Sequence, residues 1–169
     1  LKVGRSEYGR RAAQSHTASI TGSAEVNSAV FRQLGVIEVD DIDELIDVAW
    51  LLSRKLPTGD ETLAVFASSG GAASLCADTV GAVGLTLAEF APETADRLAR
   101  ALPPYAGMTN PIDTTSISIS HPEAYAEALR AVVDDANVGL VVCPMPMDYG
   151  SYTGQTARIL VEVAQSSAI

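Results

Sequence analysis

The chain has 169 residues, of which 47% are hydrophobic and 19% charged, with a formal net charge of -10 and two cysteines. These values describe a globular protein with room for one domain, or one domain plus part of another, and they argue against disorder. A pI near 4.5 excludes a broad nucleic-acid interface, because phosphate binding needs an extended basic face.

No apolar run approaches the roughly 18 residues of a membrane span, and nothing near the start has the shape of a signal peptide, so a cytoplasmic location is expected. Cys76 and Cys143 each fall inside an apolar run and read as buried free thiols rather than a disulfide or metal pair. The chain does not begin with methionine, and its first residues resemble a strand end. It is expected to be a piece of something longer.

Lys2 to Gly22 (KVGRSEYGRRAAQSHTASITG) is rich in small and polar residues and reads as a mobile loop around His16. Lys2, Arg5, Arg10 and Arg11 lie there against one acid, Glu7, a concentrated positive patch in an acidic chain. Ser23 to Leu34 has helical apolar spacing, with Ser23 as N-cap and Gly35 as the stop. Val36 to Val39 is a brief strand candidate, and Asp41 with Glu44 forms a capping-box-like start to a helix that ends near Lys55.

Leu56 to Glu61 (LPTGDE) marks a boundary, since Pro57 and Gly59 stop the helix before a new apolar run. Thr62 to Ala67 (TLAVFA) lacks alternation, so a strand buried on both faces is expected. Ser68, Ser69, Gly70 and Gly71 turn from it into a helix reaching Ala82. A second strand is expected within Leu85 to Phe90, a helix over Pro92 to Leu102, and a strand end and loop around Asn110 to Ser116. Ser120 and Glu123 fit the S-x-x-E capping pattern ahead of a helix to Val133; Val138 to Cys143 is an apolar strand, and a last helix covers Tyr152 to Ala164.

Strands alternating with helices from residue 62 onward predict an α/β fold with a doubly wound parallel sheet. Ligands of such sheets bind at the carboxyl ends of the strands, so Ser68 to Gly71, Asn110 to Ser116 and Pro144 to Ser151 should share one edge. The turn at Ser69, Gly70 and Gly71 offers backbone N–H groups and the positive end of a helix dipole to a phosphate. A tight turn chosen only for geometry would look the same, and neither a Walker loop nor a dinucleotide fingerprint is present.

Asn110 and Asp113 could present an amide and a carboxylate at that edge, or form only a structural turn. His121 reads as a solvated capping residue, and Asp148 and Tyr149 are weaker site candidates. The two histidines have no metal-ligand spacing with each other or with the cysteines, so no metal site is expected. His16 is framed by small polar residues rather than by a regular apolar pattern. A histidine near its ordinary pKa of about 6.5 keeps a neutral, nucleophilic fraction near pH 7, able to accept a phosphoryl group.

KVGRSEYGRRAAQSHTASITGS, AVFRQLGVIEVDDIDEL, LAVFASSGGAASLCAD and NPIDTT together, in that order, resemble the NDP-forming acyl-CoA synthetases related to succinyl-CoA synthetase. The resemblance covers nearly the whole chain and implies flavodoxin-like subdomains. Residues 1 to 57 then correspond to the C-terminal part of the CoA-ligase subdomain, and 58 to 169 to the following ligase subdomain, cut before its end. It implies that His16 is phosphorylated by an acyl phosphate made from acyl-CoA and phosphate, and passes the group to ADP. The reverse direction activates a carboxylic acid with ATP. Ser69, Gly70 and Gly71 become the phosphate-binding helix start.

CoA, phosphate and ADP or ATP with Mg are implied as substrates of the full protein, with no cofactor held tightly by this chain. CoA-binding and ATP-grasp domains, in the same protein or a second subunit, are the implied partners of an oligomeric enzyme. Ala18 departs from the glycine usual in the family's SHTG. The competing reading is a non-catalytic module that senses CoA or acyl-CoA for an attached acyltransferase.

Overall fold

A computed structural model describes residues 1–17, 22–54, 62–145 and 148–167. The chain divides into two compact units, Leu1–Leu56 and Pro57–Ile169. The predicted boundary at Leu56 to Glu61 lies outside the described residues.

In the first unit the stretch read as a loop is helical: α1 spans Glu7–Thr17. Glu7 pairs with Arg10 at 2.6 Å and with Arg11 at 3.0 Å, one helical turn away on the same face. Ala12 and Ala13 follow, and alanine is the best helix former, so local propensity outweighs the polar composition that suggested a loop. Helix α2 spans Ala24–Gln33, with the Ser23 hydroxyl accepting the Val26 N–H. Gly35 closes it at φ +68°, the left-handed conformation in which glycine meets no Cβ penalty.

Helix α3 covers Ile42–Leu52. Asp41 accepts the Glu44 N–H at 2.8 Å, and Glu44 reaches back to the N–H of Asp40, one residue earlier than the usual capping box. The expected strand at Val36–Val39 does not form. A strand needs a paired neighbour, and this unit has no other strand among the described residues. Its position is held instead by Arg5, which donates to Glu38 at 2.9 Å and to Asp40 at 2.6 Å.

The second unit is built on β1, Thr62–Ala67. It pairs in parallel with β2 (Thr86–Leu87), β3 (Ile112–Asp113) and β4 (Leu140–Val142). Leu63 is in register with Leu87 and Leu140, and Phe66 with Ile112. The strand is covered on both faces, as its unbroken apolar run requires. Ala64 and Phe66 pack with Leu98, Ile112, Tyr125 and Val132, whereas Val65 and Ala67 pack with Ala73. The Phe66 and Tyr125 rings meet edge-on at 5.1 Å, and burying a phenylalanine of this kind contributes about 2–3 kcal/mol.

Helices α4 (Gly70–Ala82), α5 (Pro92–Ala101), α6 (Ile117–Ser120), α7 (Pro122–Val133) and α8 (Ser151–Ser166) complete the unit. Pro92 and Pro122 occupy first-turn positions, where a missing N–H costs nothing. Ser120 does not cap α7 as its pattern suggested. It ends α6, donating to the Ser116 carbonyl at 3.3 Å, and His121 takes the N-cap position without a side-chain capping bond. Strand β4 is also shorter and more exposed than expected, with Leu140 half in solvent.

Candidate site at the carboxyl edge of the sheet

The end of β1 leads through Ser68 and Ser69 into α4. Ser69 is extended at φ -150° and ψ 128°, makes no side-chain capping bond, and is followed by a first turn without acidic residues. The unbonded N–H groups and the positive end of the dipole are therefore left to whatever occupies the loop.

Gly70 has a second reason to be glycine. A Cβ there would lie 2.9 Å from Oδ2 of Asp113, so the missing side chain lets that carboxylate lie against the helix start. The other oxygen of Asp113 accepts the Thr115 N–H at 2.8 Å. Thr115 has φ +54°, a left-handed conformation that is strained for a β-branched residue. Its neighbour Thr114 is buried and donates both its N–H, at 2.7 Å, and its hydroxyl, at 3.0 Å, to the Ala67 carbonyl.

Asn110 acts differently from Asp113. Its Oδ1 accepts the Val65 N–H at 2.9 Å, and its Nδ2 donates to the carbonyls of Leu63 at 2.7 Å and Ala88 at 3.1 Å. The side chain thereby ties β1 to the residue that follows β2. Its amide is engaged with backbone, and the peptide between Asn110 and Pro111 is cis.

A pocket of about 340 Å³ opens at this edge. Ser68 and Ser69 line it from the first loop, Thr115 and Ser116 from the second, and Met145 and Tyr149 from the third. The three expected loops therefore do share one edge. Helices α6 and α8 add Ser118 and Ile119, and Tyr152, Thr153 and Thr156. The Tyr149 N–H donates to the Thr153 hydroxyl at 2.7 Å, and the Gly150 N–H to Asp148 at 2.7 Å, which shapes the third loop.

Sequence reading missed the contribution of α6 and α8. The available signal was the spacing of Tyr152, Thr153 and Thr156, which places three hydroxyls on one helix face. Among the described residues, none that lines the pocket is charged.

The remaining candidates belong to other elements. His16 is in the last turn of α1, and its side chain is outside the described residues, as is Ala18. The basic patch is partly paired: Arg10 and Arg11 share Glu7, and Arg5 pairs with Glu38 and Asp40 from outside the stretch. The Arg5 guanidinium is raised above its ordinary pKa, chiefly by the Asp40 hydrogen bond. His121 is exposed, with Nδ1 3.1 Å from the Ser120 hydroxyl.

Cys76 and Cys143 are free and half-buried. Burial of its thiol pushes the Cys143 pKa up to about 12, which leaves it unreactive near neutrality. No cluster of three or more potential metal ligands exists among the described residues. No helix among them is long and apolar enough to cross a membrane.

Comparison with known proteins is consistent across the chain. Residues 1–52 match the succinyl-CoA ligase like flavodoxin domain, and residues 63–161 match the Ligase-CoA domain. The α subunit of acetate–CoA ligase (ADP-forming) II from Pyrococcus furiosus is 36% identical over 98% of this chain and 36% of its own length. Acetate–CoA ligase (ADP-forming) I of Archaeoglobus fulgidus is 37% identical over 84% of this chain and 20% of its own.

A solved structure of the dinucleotide-forming acetyl-coenzyme A synthetase 1 of Ca. Korarchaeum cryptofilum, in complex with phosphate and ADP, superposes with a TM-score of 0.77 at 29% identity. It is matched over 98% of this chain and 35% of that one. The chain thus spans about a third or less of the length of these relatives. Its flavodoxin-like α/β fold and both matched domains place it in one group: it belongs to the Ligase-CoA domain family of NDP-forming acyl-CoA synthetases related to succinyl-CoA synthetase.

Proposed function

We infer that the chain is part of an acyl-CoA synthetase, an acid–thiol ligase that makes acyl-CoA from a carboxylic acid, CoA and ATP, or runs in reverse to make ATP. Residues 1–57 are read as the closing part of the CoA-ligase subdomain and 58–169 as the following ligase subdomain. Acyl phosphate and a phosphohistidine at His16 are the intermediates, and Ser69, Gly70 and Gly71 receive the phosphate. CoA, phosphate and the nucleotide with Mg are substrates. The partners are a CoA-binding and an ATP-grasp domain, in the same protein or a second subunit, within an oligomeric enzyme.

The observation that carries this reading is the start of α4: uncapped, free of acid in its first turn, and opening on a hydroxyl-lined pocket in a chain of this family. Such a helix start favours an anion through its free N–H groups and its dipole. Asp113 stands close to it as a carboxylate against Gly70, whereas the Asn110 side chain is engaged with β1 and the residue after β2. The named relatives above are ligases or synthetases, which favours this reading over an acyltransferase-linked sensor.

The test is phosphoryl transfer in the full-length protein. Radioactive ATP should label His16, and His16→Asn should lower acyl-CoA formation by at least about 1000-fold, as expected for loss of a nucleophile. Full activity in that variant, or an unlabelled His16, overturns the assignment.

A further inference from the structure

Two hydroxyls in the pocket are unexplained by the fold. Ser118 and Thr156 are each only 5% exposed, and both line the cavity. Neither side chain has a hydrogen-bond partner among the described residues. Of the other buried polar groups, Thr114 is satisfied by the Ala67 carbonyl and Asp135 by the Ala91 and Asn137 N–H groups, whereas the buried Tyr125 hydroxyl is also without a partner among the described residues but does not line the cavity. Buried polar groups are paired in the great majority of cases, so two exceptions facing one cavity call for a ligand atom or water.

The rim differs from this floor. Ile119, Tyr149 and Tyr152 are at least 40% exposed and give it apolar surface. The start of α4 at Ser68 and Ser69 supplies the anion-favouring side.

We propose that this pocket holds the acyl part of a monocarboxylic acid whose uncharged tail carries a hydroxyl or keto oxygen, and that Ser118 and Thr156 select it. The proposal rests on the synthetase reading above. The carboxylate lies toward the start of α4, and the tail oxygen pairs with the buried hydroxyls. A plain hydrocarbon tail would displace water from both hydroxyls and return no hydrogen bond. A second carboxylate would meet no cation among the lining residues, and an unpaired buried charge is costly. Sites built to bond a substrate hydroxyl reject the analogue lacking it far more strongly than apolar pockets sort by size.

The experiment compares kcat/KM for 4-hydroxybutyrate and 3-hydroxybutyrate with butyrate, and with succinate, in the full-length protein. At least one hydroxy acid should exceed butyrate by about 100-fold or more, and succinate should be poor. Thr156→Val, which keeps the shape, and Ser118→Ala should each cut that ratio by about tenfold or more. Thr156→Ser should preserve it, which separates the hydroxyl from packing.

Equal use of the hydroxy acids and butyrate, a preference for succinate, or a ratio untouched by both substitutions overturns the proposal. If no acid is turned over, the synthetase reading fails instead. Calorimetric binding of the same acids to wild-type protein and Thr156→Val then decides the pocket on its own, with equal affinities counting against it.

Discussion

The carboxamide of Asn110 supplies hydrogen bonds that a strand backbone would otherwise make, reaching Val65, Leu63 and Ala88 at once. Removing it leaves a strand N–H without an acceptor at the centre of the sheet, and an orphaned group of this kind costs about 1–3 kcal/mol. Asn110→Ala should therefore destabilise the second unit by about 2–3 kcal/mol, measured as a lower urea midpoint with an unchanged m-value. Little of this was legible beforehand. Asn-Pro reads as a turn in any sequence, and only the fold reveals that its side chain faces a gap between backbones. Ser118 and Thr156 escaped notice for a related reason: serine and threonine carry no signal of burial until a helix face is known.

At the scale of elements, the capped and proline-marked helices were legible because their signals are local. Asp41 and Glu44 announce α3, and Pro92 and Pro122 announce α5 and α7. The α1 helix was not, since the polar, serine-rich composition hid its Glu7–Arg10–Arg11 pairs. A distant cap was equally invisible. Ala91 precedes α5 without a capping side chain, and Asp135 from beyond α7 accepts its N–H at 2.9 Å.

Burial pushes the Asp135 carboxyl upward in pKa, but hydrogen bonds from Thr94, Asn137 and Ala91 outweigh it and hold the group below its ordinary range. A depressed folded pKa means that the stabilisation is present above the unfolded value, about 4. It is lost as pH falls through that value toward the lower folded one. Thermal melts should show wild-type stability declining from about pH 5 downward, and a shallower decline in Asp135→Asn. Equal slopes would assign the acid sensitivity to other carboxylates.

At the scale of the whole molecule the two units differ in what they bury. Val39 is the sole apolar residue of the first unit counted among the buried core of the described residues, whereas the second unit supplies the rest. Ile42, Ile46, Trp50 and Leu52 of α3 are mostly exposed, and Arg54 stacks over the Trp50 ring at 4.6 Å. Stability follows buried apolar area, and a chain of this length buries little. Residues 57–169 expressed alone should unfold cooperatively in calorimetry, while residues 1–56 should show no thermal transition. The reverse result would locate the stabilising contacts elsewhere. Periodicity reported α2 and α3 of the first unit faithfully, yet a pattern of apolar residues states only that a face needs covering, not that it is covered.

The peptide that follows Asn110 has a consequence for how the protein ages. Asparagine loses ammonia in old protein when the next backbone nitrogen attacks its side chain, and the acid that results would set a negative charge against the carbonyls of Leu63 and Ala88. Pro111 has no N–H with which to close that ring. The one amide on which the sheet depends is thus shielded from the commonest chemical clock, while Asn27 and Asn137, followed by Ser28 and Val138, keep the reactive nitrogen.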